Sequence, residues 1–125
     1  MDKIYENAAP LGRLLLGVFW IYFGYTKIGG IEGLQGYMAS FGVPGILAYG
    51  VILLEIVGGL MILAGFYSRL ASIALAGFSV LTAVIFHNNL GDQIQLILFA
   101  KNFALAGGLL MIVANGPGKL SINQH

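Results

Sequence analysis

The sequence predicts an all-α integral membrane protein, a four-helix bundle with a short interfacial helix between spans 1 and 2. Three observations carry this. Of 125 residues, 58% are hydrophobic and only 9% charged, whereas about a quarter of an average globular domain is charged. The apolar residues gather in four blocks at about 11–28, 46–66, 70–87 and 96–114, each approaching the roughly 20 residues that cross a ~30 Å hydrocarbon layer. The stretches between and beyond them are too short for a second domain, so residues 1–125 read as a single transmembrane domain.

The first block follows a mixed-charge segment holding Asp2, Lys3 and Glu6 and contains Arg13. It is longer than the ~7–15-residue core of a cleaved signal peptide and lacks a small-x-small cleavage site, so it is read as a permanent span. Within it Arg13, Gly17, Trp20, Gly24 and Lys27 step by 4, 3, 4 and 3 residues, which places them on one stripe of a helix. Gly17 and Gly24 allow a neighbouring backbone to approach, since helices in lipid associate by packing small residues. In the glycine-rich segment that follows, Leu34, Tyr37, Met38 and Phe41 recur at helical spacing and predict a short amphipathic helix in the outer interface. Pro44 then suits the first turn of span 2.

Span 2 carries Glu55 in an apolar run, with Gly58, Gly59 and Gly65 nearby. Counting from Ile46, the acid lies about 14 Å down, close to the bilayer midplane. In span 3 Ser72, Ser79 and Thr82 read as packing or back-bonding residues, and the span ends at Phe86-His87. Span 4 opens after Asp92, Gln93 and Gln95, carries Lys101-Asn102 one or two turns inside, and offers Ala104, Gly107 and Gly108 as a packing face. Gly116-Pro117-Gly118 stops it.

Four spans put both termini on one side. Lys3, Arg13, Arg69 and Lys119 fall there, against Lys27 and Lys101 on the other, so the positive-inside bias predicts cytoplasmic termini, with Arg13 and Arg69 as inner-face anchors. The net charge of +1, without a basic run, gives no basis for nucleic-acid binding. With no cysteine, the chain has no thiolate nucleophile, redox pair, disulfide or thiolate-ligated cluster. His87 and the tail residue His125 do not make a metal-ligand set, so no metal site is expected.

A charge at the centre of a spanning helix costs about 2.5–3.5 kcal/mol on insertion scales and calls for a partner. Depth pairs Glu55 with Lys101, because both project into the outer half, while Lys27 at its helix end reads chiefly as a snorkelling residue. Two readings of this island stay open. In one, Glu55, Lys101, Lys27, His87 and Asn102 form a polar pocket that binds an electron-rich head such as a quinone ring against Trp20, Tyr22 and Phe103. In the other, Glu55 and Lys101 form an ion pair that fixes helix register and does no chemistry. Gly17, Gly24, Gly58, Gly59, Gly107 and Gly108 are the expected helix-packing positions.

Arg13, Gly17, Gly24, Lys27, Gly42-Val43-Pro44, Glu55 with Gly58-Gly59 and Gly65, Arg69, Phe86-His87, Lys101-Asn102 with Gly107-Gly108, and Gly116-Pro117-Gly118 with Ser121 together resemble the DoxX family. The likeness spans essentially the whole chain and is nearest to the small enterobacterial-type members. It implies a multi-pass protein of the bacterial inner (plasma) membrane. The family is named for its likeness to a membrane subunit of a thiosulfate:quinone oxidoreductase, and some members associate with oxidoreductases in redox-stress assemblies. Asn123 stands where relatives often have an acid. The resemblance is compatible with a redox-linked membrane subunit beside an oxidoreductase partner rather than an independent enzyme, and the sequence itself shows no covalently bound cofactor. A noncatalytic scaffold or assembly factor, with glycine-rich faces that recruit other helices or further copies of the chain, remains the alternative. A small-molecule transporter is less supported, since no inverted repeat is visible.

Overall fold

A computed structural model describes residues 2–125 and consists of five helices: α1 (Asp2–Gly29), α2 (Ile31–Ser40), α3 (Leu47–Ala64), α4 (Ser68–Phe86) and α5 (Gln93–Asn115). Among the described residues, α1, α3, α4 and α5 are long and apolar enough to cross a membrane. Exposed Leu15, Leu53, Leu70, Ile97 and Met111 ring the bundle; contiguous apolar surface of this extent marks a face turned to lipid.

The helices pair as α1 on α3 and α4 on α5, and the two pairs meet chiefly through α3 and α4. Glycine explains the first pairing. A Cβ at Gly17 would lie 2.9 Å from the Gly59 carbonyl oxygen, and one at Gly59 would lie 3.0 Å from that of Gly17. The two backbones therefore touch where neither residue has a side chain. Gly58 instead makes room for the side chain of Leu75 on α4, whose Cδ1 would lie 3.0 Å from a Cβ there. Gly107, by contrast, has open space where its Cβ would be, and Gly108 has only Leu16 at 3.9 Å. With Ala104 exposed, the small-residue face expected on α5 is not a contact; α5 buries Ala106, Leu109 and Ile112 against the core instead.

Helix α1 begins well before the apolar block that predicts it. Its first turns are polar and project past the hydrocarbon layer: 28 residues rise about 42 Å. The carboxy-terminal tail braces this extension, with Lys119 Nζ donating to Glu6 at 2.7 Å and Gly118 fitted against Ala9. Arg13 is an anchor of a different kind from the one expected. Only 2% exposed, it donates to the carbonyls of Ile62 and Leu63 at the end of α3 and of Pro117, Lys119 and Leu120 in the tail. It binds the negative end of a helix dipole rather than the membrane surface. Tail residues Ile122 and Asn123 continue the clasp by donating their N–H groups to Ala64 and Gly65. The Asn123 side chain accepts from the Tyr67 N–H at 3.0 Å, holding that residue in a left-handed conformation (φ 46°). Exposed Arg69 packs its guanidinium against Gly116.

At the opposite end α2 lies across the bundle, resting on α1 and α3. It closes with a Schellman motif: Gly42 at φ 78° lets Val43 N–H reach Met38 O and Gly42 N–H reach Ala39 O, each at 3.0 Å. Pro44 stands before α3 rather than inside its first turn. Its carbonyl accepts from Leu47 N at 3.1 Å, so the turn precedes the helix.

Candidate functional site

The stripe on α1 builds the site. Arg13, Gly17, Trp20 and Gly24 are buried, and the stripe runs along α3 to the level of Glu55. A Cβ at Gly24 would lie 3.1 Å from that of Glu55, so the missing side chain makes room for the acid beside α1. One turn further on, Lys27 Nζ donates to both carboxylate oxygens of Glu55, which is 1% exposed. The partner of the buried acid is therefore Lys27 and not Lys101, and Lys27 points inward instead of snorkelling. Helix α1 touches α3 directly, whereas α5 packs on α4; rotation about the helix axis, which depth does not determine, selects the lysine.

A cavity of about 230 Å³ opens between the two helix pairs, roofed by α2. An apolar cavity of about 150 Å³ holds benzene, so a substituted ring fits. Glu55, Lys27, Lys101, His87, Trp20 and Asn102 all line it. Lys101 Nζ lies 5.7 Å from the centre of the Phe19 ring, within cation–π range, and among the described residues has neither a hydrogen bond nor an ion pair. Asn102 Nδ2 donates to Thr82 Oγ1 at 3.0 Å, and that hydroxyl donates to Ser79 O at 3.2 Å. This chain of bonds leaves the Asn102 carbonyl oxygen as the amide's open acceptor. His87 Nδ1 donates to Gln95 Oε1 at 3.0 Å. Trp20 is 4% exposed and its indole N–H has no partner, an arrangement that costs free energy unless something accepts the bond.

The aromatic wall differs from the expected one. Tyr22 is 58% exposed and Phe103 42%, both outside the cavity. The rings that face it are Phe19 and Phe23 on α1, Tyr37 on α2, and Phe78 and Phe86 on α4. Phe19, Phe23 and Lys27 recur every fourth residue, as do Phe78, Thr82 and Phe86, so helical spacing read outward from Lys27 and Thr82 could have found them. Tyr37 also donates its hydroxyl to Phe86 O at 3.3 Å, joining α2 to α4. No group of three His, Cys, Asp or Glu able to hold a metal occurs among the described residues.

The DoxX family pattern matches residues 8–88, which include the site residues of α1 to α4 and stop short of Lys101 and Asn102. The chain is 40% identical over 124 residues to the inner membrane protein YqjF of Escherichia coli (strain K12), covering 99% of this chain and 95% of that protein. It is 31% identical over 122 residues to the inner membrane protein YphA of the same organism, covering 92% and 87%. CatD of Bacillus subtilis (strain 168), provisionally named an oxidoreductase, is 27% identical over 114 residues, covering 86% and 84%. No solved structure matches the chain.

Proposed function

Because this chain belongs to the DoxX family and is a multi-pass protein of the bacterial inner membrane, we propose that it is the membrane subunit of a redox-linked assembly whose cavity holds a quinone-type ring. One observation carries the reading: a ring-sized cavity gathers aromatic walls and an unpaired lysine around a buried ion pair. Ring carbonyls accept hydrogen bonds, and Lys101 is the cavity-lining donor without a partner. Glu55, fixed by Lys27, is the carboxylate at the cavity wall and the group there suited to exchanging a proton with the ring. Reduction of the ring to the quinol takes up two electrons and two protons: a partner oxidoreductase supplies the electrons, since a cysteine-free chain offers no thiol couple, and Glu55 passes on protons that come from the aqueous side. The provisional name of CatD supports a redox setting. The excess of Lys3, Arg13, Arg69 and Lys119 at the terminal end supports cytoplasmic termini, with the cavity in the outer half.

A second reading, a noncatalytic scaffold, draws on the same ion pair, because both Glu55 oxygens are engaged by Lys27. Native purification followed by mass spectrometry of bound small molecules separates the two. Quinone at about one per chain, lost in Glu55→Gln, supports the ligand site. Unchanged small-molecule content together with a weakened bundle in that variant supports the scaffold.

A further inference from the structure

The charges around the cavity do not balance. Lys27 and Lys101 are two cations against one anion, Glu55, while His87 is engaged with Gln95. Lys27 and Glu55 neutralise each other by direct contact, which leaves one positive charge on Lys101. That residue is the ninth of α5, about 12 Å along the helix from its first residue, and its neighbour is the face of Phe19. Lys101 is exposed at the mouth of the cavity, where hydrocarbon rather than water is its surrounding; a cation at that depth without a counter-ion is costly, and a ring quadrupole compensates it only in part.

We propose that the cavity takes an apolar ring bearing one anionic oxygen head, an aromatic carboxylate being the simplest, with the head at Lys101 and the ring among Phe19, Phe23 and Phe78. This rests on the reading of the cavity as a ligand site but assigns its occupant a charge that a neutral quinone lacks. The anion and the Lys101 ammonium offset one another's desolvation, and the ring replaces water against aromatic walls. Asn102 offers an acceptor for a second polar substituent.

The chain has a single tryptophan, Trp20, so its emission reports occupancy directly. Protein in vesicles of neutral phosphatidylcholine is titrated with 4-pentylbenzoate and with 4-pentylbenzamide, which share ring and tail and differ in charge. The expected result at neutral pH is roughly tenfold or greater preference for the benzoate, abolished in Lys101→Gln with benzamide binding retained, and kept in Lys101→Arg. Equal affinities in the wild type, no binding of either compound, or a preference that survives Lys101→Gln overturns the inference. Circular dichroism confirms that each variant is folded. A neutral decylbenzoquinone, titrated in parallel, separates this inference from the quinone reading. Quinone binding without a benzoate preference overturns the charge inference alone, and a Lys101-dependent benzoate preference without quinone binding overturns the quinone reading alone.

Discussion

Replacing Lys27 with methionine keeps an unbranched apolar stem and removes the ammonium group that Glu55 depends on. Glu55 is 1% exposed and Lys27 contacts both of its oxygens, whereas Lys101, the other nearby cation, makes no bond to it. Breaking a fully buried pair from one side costs about 3–5 kcal/mol. The Lys27 side chain is 32% exposed, so part of the pair's strength is already screened, and the stranded acid can take up a proton. The expected loss for Lys27→Met is therefore about 2–3 kcal/mol. Glu55→Gln alone strands a lysine that can reach the polar interface, and costs about 1 kcal/mol. The double variant has no charge left to strand and returns to within about 1 kcal/mol of the wild type, giving a coupling of about 2–4 kcal/mol. Unfolding by SDS titration in mixed micelles, followed by helical circular dichroism, measures all four proteins. Additivity of the two single changes to within about 0.5 kcal/mol would refute the pairing.

Other consequences concern packing and the tail. Gly17→Ala drives a methyl against the Gly59 carbonyl and Leu63, and should cost about 1–3 kcal/mol in the same titration. Gly107→Ala points into open space and should be neutral or stabilising by up to about 1 kcal/mol, as expected for alanine replacing glycine in a helix. Arg13→Lys keeps the charge but not the planar fork that engages five carbonyls. Faster hydrogen exchange at the Ile122 and Asn123 amides and easier carboxypeptidase trimming should follow, and unchanged exchange would contradict the clasp.

Hydropathy made the four spans legible because lipid demands long apolar runs, and the α1 stripe was legible because helical spacing put a charge, two glycines and the tryptophan on one face. The same stripe held the identity of the partner of Glu55. Gly17 and Gly24 mark where α1 meets α3, and Lys27 lies on that line. Depth alone favours Lys101, and depth says nothing about which helices are neighbours. Tyr22 and Phe103 failed for a related reason: in a helix with apolar residues on every side, the lipid-facing and cavity-facing aromatics have the same composition. Arg13 misled because its carbonyl partners belong to the end of α3 and to a tail without any hydrophobic period, neither of which single-helix patterns reveal. The start of α1 was hidden because its first turns are polar, and hydropathy registers only what lies in oil.

A ring bound in the cavity between the helix pairs is located most directly by photolabelling. An azido-benzoquinone carrying a short alkyl tail, irradiated with the protein in nanodiscs and mapped by peptide mass spectrometry, is expected to mark Phe19, Trp20, Phe23 and Lys101, with excess unlabelled decylbenzoquinone suppressing the adducts. Labelling confined to lipid-facing positions such as Tyr22 and Phe103, and not suppressed by competitor, would contradict it.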